Sequence, residues 1–344
     1  MTEIPLISVL MPCFNSSAYV ERAIKSILNQ TIKDFEFIIY DDASTDNTVK
    51  IIRSFDDLRI KLIEKPNNTG YTDSLNMGLK IARGKYIARM DSDDVSVETR
   101  FQKQVHLLES NPDIVVCGTW IETFPENSIV KYPTKNEEIK VSLLDDCCLA
   151  HPSVFIRRSF LVDEGVQYNK DFEPAEDYDL WTRLISKGKF ANIPEVLLKY
   201  RVHPNQTSSS RYYSQQNNSL RCKQRMLNYL IDDGQINNLE LSHLVYQTDK
   251  IDSNRKLLTL IDWLDTLVIL NDQKQIFHRK MFRDFVNRKK NTLTSAFYLR
   301  RLNYSPLVLV ELLIAGNRVI RNFEASGLIK LFVKSLLFRR LSGR

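Results

Sequence analysis

YIARMDSDD, residues 86–94, opens as a β-strand and closes on three carboxylates within four positions. Its first five residues suit a strand buried on both faces. The acids that follow should repel one another. One of them could cap the helix expected near Ser96, but three exceed what a cap needs. Crowded carboxylates become tolerable when a divalent cation neutralises them. Mg2+ and Mn2+ choose oxygen ligands, commonly one or two carboxylates plus substrate phosphates.

The same architecture recurs upstream. LISVLM, residues 6–11, is an unbroken apolar run ended by Pro12. SAYVERAIKSILNQ follows with helical spacing at Tyr19/Val20, Ala23/Ile24 and Ile27/Leu28, and Ser16 or Ser17 is the expected N-cap. FEFIIY is a second buried strand, and the polar DDASTDNT leads into a helix capped by Asp46. IKLIE is a third strand, and YTDSLNMGLKIA a helix that stops by Gly84. This alternation predicts an α/β fold: a Rossmann-like, mostly parallel central sheet with helices on both faces. Asp41/Asp42 and Asp91/Asp93/Asp94 then sit past strand C-terminal ends, where open α/β sheets bind ligands.

Downstream the rhythm loosens. A helix at VETRFQKQVHLLES and a strand at IVVCG precede shorter strands around Trp120 and HPSVFIR. His151 is expected on the latter strand. EDYDLWTRLISKG reads as a helix and EVLLKYRVH as a strand. The polar run PNQTSSSRYYSQQNNS marks the expected boundary between residues 1–205 and a helical region, 206–344.

The chain has 344 residues, 43% hydrophobic, with a net charge of +6, which permits a polyanionic or membrane-surface partner without requiring one. Five cysteines, with Cys147 and Cys148 adjacent and no CxxC, argue against a disulfide framework or zinc site; the adjacent pair is expected as small buried residues. The N-terminus has no basic n-region followed by a long apolar run, so no signal peptide is expected. SPLVLVELLIAG is too short to span a bilayer and is broken by Glu311. Residues 327–344 carry Lys330, Lys334, Arg339, Arg340 and Arg344, no acid, and apolar residues at roughly helical spacing, the pattern of an interfacial helix drawn to anionic lipid.

No GxGxxG follows a strand, no GxSxG occurs, and residues 78–85 fail as a Walker A loop in glycine spacing and in Tyr86. Four polar clusters remain: DDASTDNT, DSDD, AEDYDLW with Glu176, Asp177 and Asp179, and YRVHPNQTS with Arg201 and His203. Each also has a structural reading, as turn, cap, favourable charge at a helix N-terminus or half-buried histidine.

SVLMPCFN, DDASTDNT, NTGYTDSLNMGLKIARGKYIARMDSDD and EDYDLWTRL, in this order and spacing, resemble the family 2 glycosyltransferases with a GT-A fold over roughly residues 5–205. HPSVFIR and YRVH resemble bacterial members that build surface polysaccharides such as O-antigen or capsule. The resemblance implies a nucleotide-sugar half at about 1–118 and an acceptor half at 119–205. Pro12, Phe14 and Asn15 would line the nucleotide pocket and Asp42 would contact the base. Phe14, where such proteins often carry Tyr, can stack but cannot donate a hydroxyl hydrogen bond. Asp91 and Asp93 would match the metal-binding DxD motif, with His203 helping to hold Mn2+ or Mg2+ and Asp94 reaching the donor sugar. Asp177 would be the general base of an inverting hexosyl transfer from a UDP-sugar. Glu176, His151 and Arg201 are weaker candidates for acceptor or diphosphate contacts. The acceptor would be a saccharide, polyprenyl-diphosphate-linked, met at the cytoplasmic face of the bacterial plasma membrane, with residues 327–344 as the membrane contact.

Two other readings compete. A sugar-phosphate nucleotidyltransferase would carry a basic Gly-rich loop after the first strand, and MPCFNSS has neither Gly nor Lys. A non-enzymatic polyanion binder would explain the charge, but the strand-end clusters are acidic, so no nucleic-acid partner is expected.

Overall fold

β1 (Ile7–Cys13) and β2 (Phe35–Asp41) are buried at every position; both are apolar apart from Ser8, Glu36 and the closing Asp41, and the buried Glu36 is paired with Ser8 and Lys61, each at 2.6 Å. A computed structural model, which describes residues 4–204, 206, 211–231, 236–300 and 304–336, sets them within a nine-stranded sheet. The other strands are β3 (Ile60–Glu64), β4 (Tyr86–Arg89), β5 (Val95–Ser96), β6 (Ile114–Phe124), β7 (Ser128–Val130), β8 (Phe155–Arg157) and β9 (Lys189–Arg201). The order is β3-β2-β1-β4-β8-β6-β9-β5, with β7 paired to β6.

The strands β3, β2, β1 and β4 are mutually parallel, as helical crossovers between them dictate. Beyond β4 the sheet is mixed. β8 runs antiparallel to both β4 and β6, β9 is parallel to β6, and β5 is antiparallel to β9. β7 returns from β6 after only Pro125, Glu126 and Asn127, so that pairing has to be antiparallel.

The helices of this part are α1 (Val20–Leu28), α2 (Thr48–Arg53), α3 (Tyr71–Ile81), α4 (Arg100–Ser110), α5 (Asn136–Ser142), α6 (Arg158–Asp163) and α7 (Glu176–Leu184). α1 buries Val20, Ala23, Ile24 and Ile27, one face at helical spacing. Its N-cap is Tyr19 rather than Ser16 or Ser17. A turn precedes the helix, in which the Ser16 carbonyl accepts the N–H groups of Tyr19 and Val20. The N-cap of α2 is Asn47 rather than the expected Asp46, although the Asp46 carboxylate accepts the Thr48 N–H at 2.9 Å. Gly84 lets the chain entering β4 lie against β1, since a Cβ there would stand 2.4 Å from the Ser8 nitrogen. His151 opens a single 3-10 turn, His151–Ser153, ahead of β8, and not the expected strand; Pro152 supplies no N–H for a ladder there.

The chain divides into two compact units, residues 1–222 and 223–344, and the division falls inside α8 (Tyr212–Asn228). The second unit is helical: α9 (Ile236–Leu244), α10 (Asn254–Lys274), α11 (Arg279–Leu299), α12 (Pro306–Ala315), α13 (Asn317–Ile320) and α14 (Ala325–Leu336). α10 and α11 pack on one another through a core that includes Leu257, Leu260, Leu264, Phe282, Phe285 and Leu293, all fully buried. Of the basic tail, residues 337–344 lie outside the described residues.

Candidate active site

Parallel register gathers the first three acidic or polar strand ends. Cys13 pairs with Asp41 and Leu10 with Arg89, so residues 12–15, 41–42 and 91–94 emerge at one edge of the sheet. The short β5–β9 ladder brings in the fourth. Val95 pairs with Lys199, and continuing that register sets Asp93 and Asp94 beside Tyr200 and Arg201. The contacts follow. Asp94 Oδ1 accepts the Arg201 N–H at 2.8 Å, and the Arg201 Nε donates to the Asp93 carbonyl at 2.8 Å. His203 Nε2 lies 2.9 Å from Asp93 Oδ2.

One carboxylate oxygen from each of Asp91, Asp93 and Asp94 lies within 4.8 Å of the other two. Burial, then the charges of Asp91 and Asp93, push the Asp94 carboxyl well above its usual range. Its Oδ2 is buried with no hydrogen-bond partner. Asp91 is also pushed upward by burial, opposed by an ion pair with the buried Arg89 guanidinium. An oxygen-rich cluster with one imidazole, carrying more negative charge than Arg89 offsets, fits Mn2+ or Mg2+.

A second acidic pair comes from the first turn of α7. Glu176 is 3% exposed; burial, then the charge of Asp177, raise its carboxyl to about 8. Tyr71 donates its hydroxyl to Glu176 Oε2 at 2.7 Å. Asp177 is raised to about 6 by burial, moderated by the Tyr178 N–H, the Arg89 charge and the Cys147 thiol. That thiol donates to Asp177 Oδ2 at 3.7 Å. Cys147 is thus half-buried against a carboxylate, unlike Cys148, which is buried as expected. His151 is held neutral, its pKa lowered well below the ordinary value by burial and then by Arg89, and its Nε2 meets the Tyr168 hydroxyl at 2.9 Å.

Both acidic groups open on one cavity of about 890 Å³. Pro12, Phe14, Asn15, Asp42, Asp91, Asp93, His151, Glu176, Asp177 and His203 all line it. Phe14 is 47% exposed, a ring free to stack on a planar ligand. Asn15 adopts φ +47° and its Oδ1 accepts the Thr45 N–H at 2.8 Å, so it also shapes the loop after β2. Asp42 is already engaged by Lys65 at 2.6 Å and by the N–H groups of Thr69 and Gly70. Asp94 and Arg201 stand behind the wall. Asp94 is fully buried, and the Arg201 guanidinium is sandwiched between Tyr19 and Phe124, 4.5 and 4.4 Å from their ring centres.

Sequence reasoning missed Arg89, Tyr71, Cys147 and Lys65. Arg89 had a signal: alternation along β4 puts it on the same face as Asp91, a lone cation two residues before the first acid. Tyr71 and Cys147 had none, because their partners lie far along the chain.

A profile of the family described as Glycosyl transferase family 2 matches residues 8–165. An uncharacterized glycosyltransferase of Haemophilus influenzae is 33% identical over 280 residues, covering 76% of this chain and 86% of that relative. The chain belongs to glycosyltransferase family 2. A relative from Escherichia coli, named UDP-Glc:alpha-D-GlcNAc-diphosphoundecaprenol beta-1,3-glucosyltransferase WfaP, is 32% identical over 211 residues, 60% of this chain and 81% of its own length. The crystal structure of Staphylococcus aureus TarS 1-349 in complex with UDP matches with a TM-score of 0.55 at 18% identity, covering 95% of this chain and 91% of that one. The fold of this family 2 member is therefore of the GT-A type, and its activity is glycosyl transfer.

Proposed function

We propose that this glycosyltransferase moves a hexose, with inversion, from a UDP-linked donor to a hydroxyl of a lipid-linked saccharide during assembly of a bacterial surface polysaccharide. One observation carries the reading: a single cavity holds the Asp91/Asp93 cluster beside Phe14 and, in the same wall, the raised Glu176–Asp177 pair.

In this reading Phe14 stacks on the base, and Pro12 and Asn15 shape the nucleotide end. Asp42, held by Lys65, has little capacity left and presents its free edge to the base. Asp91, Asp93 and His203 would hold Mn2+ or Mg2+. The bound cation would offset charge on the diphosphate leaving group. Arg201 and Asp94 position Asp93 from behind.

Asp177 takes the proton from the acceptor hydroxyl as that oxygen bonds to the anomeric carbon. The bond from that carbon to the diphosphate oxygen breaks, and its electron pair leaves with the nucleotide. A base facing the leaving group across the sugar ring yields inversion. Glu176, whose raised carboxyl keeps its proton at neutral pH, leaves the pair's single negative charge on Asp177. It can donate a hydrogen bond to a sugar hydroxyl, beside the neutral His151.

The relative named for a diphosphoundecaprenol-linked acceptor supports a polyprenyl-diphosphate-linked substrate. The test is turnover of a UDP-sugar panel with a polyprenyl-diphosphate-linked acceptor, with Mn2+ and with EDTA. Transfer that requires the metal and gives the inverted anomer supports the reading. Metal-independent transfer, or retention of configuration, overturns it.

A further inference from the structure

SPLVLVELLIAG is too short and too interrupted to be a membrane span, and no described helix is long and apolar enough to cross one. Yet the structure does not bury it. In α12 only Val308 and Leu312 turn inward. The opposite face carries Leu307, Val310, Leu313 and Ile314, with Leu313 69% and Ile314 80% exposed. A helix apolar on the side it turns to solvent is built to be covered.

α14 packs on α12 and repeats the pattern. Gly327, Leu331 and Ser335 form its buried stripe. Ile329, Phe332, Val333 and Leu336 point outward, with Ile329 65% and Phe332 54% exposed. Lys330 and Lys334, four residues apart, run along the margin between the two stripes. Lys334 is anchored by the Leu299 carbonyl at 3.2 Å, whereas Lys330 is exposed. The sequence from 325 to 344 holds five cations and no acid.

We infer that the outward faces of α12 and α14 dock on an anionic lipid surface, lying in the plane of the headgroups. Charge selects this occupant. A second copy meeting this face about a two-fold axis would bring cationic margins together. Anionic headgroups complement them, while the leucine, isoleucine and phenylalanine side chains enter the acyl boundary. α12 is the new element: the tail by itself supplies the cations and one apolar stripe, and α12 adds a second stripe with no lysine.

Flotation of the full chain with phosphatidylcholine vesicles, with and without phosphatidylglycerol, tests this without any sugar donor, so its failure and a failure of the transfer reaction are separable. The wild type should float with the anionic vesicles and be released by high salt. Leu313→Glu with Phe332→Glu, both at exposed positions, should lower binding by about tenfold or more. Lys330→Gln should lower it by about fivefold. Thermal melts of the variants should match the wild type. Equal binding to neutral and anionic vesicles, or flotation of the double variant like the wild type, would overturn the inference. So would a wild-type dimer in light scattering that the double variant converts to monomer, which assigns the face to a second copy.

Discussion

Replacing Asp177 by Asn separates a proton-accepting role from a structural one. The amide keeps the size of the side chain and an oxygen for the Tyr178 N–H, which Asp177 Oδ1 accepts at 2.7 Å. It cannot take a proton. General-base assistance contributes roughly 10²–10⁴-fold, or about 2.7–5.5 kcal/mol of barrier, so kcat should fall by that factor with donor binding unchanged. Stability should move the other way. The Asp177 carboxyl rises from 3.8 to about 6 on folding. At about 1.4 kcal/mol per unit, ionisation costs the folded state at most about 3 kcal/mol, and about 1–2 kcal/mol once the open cavity screens the charge. A folded-state value above the unfolded one means that the stabilising contribution is present below about 3.8 and is lost as pH rises through about 6. The variant should therefore match the wild type near pH 4 and exceed it by about 1–2 kcal/mol near pH 8. Urea unfolding at several pH values reads the stability, and product formation from a UDP-sugar reads the rate. Turnover within about threefold of wild type would refute the base assignment. A loss of stability independent of pH would refute the buried-carboxylate reasoning.

Cys147→Ala removes a hydrogen-bond donor from the ionised form of Asp177, so the acid limb of the pH–rate profile should move to higher pH with little change in the plateau; an unmoved limb counts against the contact. Arg89→Met leaves Asp91 without its buried ion-pair partner and should cost about 3–5 kcal/mol in urea unfolding, with Mn2+ restoring part of it. Asp93→Asn should raise the Mn2+ concentration needed for half-maximal turnover and leave apo stability nearly unchanged. Gly84→Ala would place a methyl 2.4 Å from the Ser8 nitrogen; the strand junction must shift, at about 1–3 kcal/mol in thermal unfolding.

Much of the site was legible because it lies at strand ends. Parallel strands share a direction, so polar residues ending β1, β2 and β4 had to emerge together. Residues 12–15, 41–42 and 91–94 needed no tertiary information to be grouped. The mixed half of the sheet was less legible. β8 and β5 are short, and their pairing depends on which edge β6 and β9 leave open. The distinction between Asp93 in the cavity wall and Asp94 behind it was not legible either, since adjacent residues of one acidic run differ only in which way the backbone turns them.

Amino-acid order alone determined the α/β alternation, the positions of the four acidic and basic clusters and the family to which they belong. These depend on local periodicity and on residues close in sequence. Tertiary structure alone decided that Asp177 meets the thiol of Cys147, that Tyr71 from α3 caps Glu176, and that His203 reaches Asp93. Each joins segments between about thirty and more than one hundred residues apart, and the strength of each depends on burial that only the assembled sheet creates. The same holds for α12: its sequence shows only an apolar run too short to span a bilayer, and packing on α14 decides which apolar side chains are left facing out.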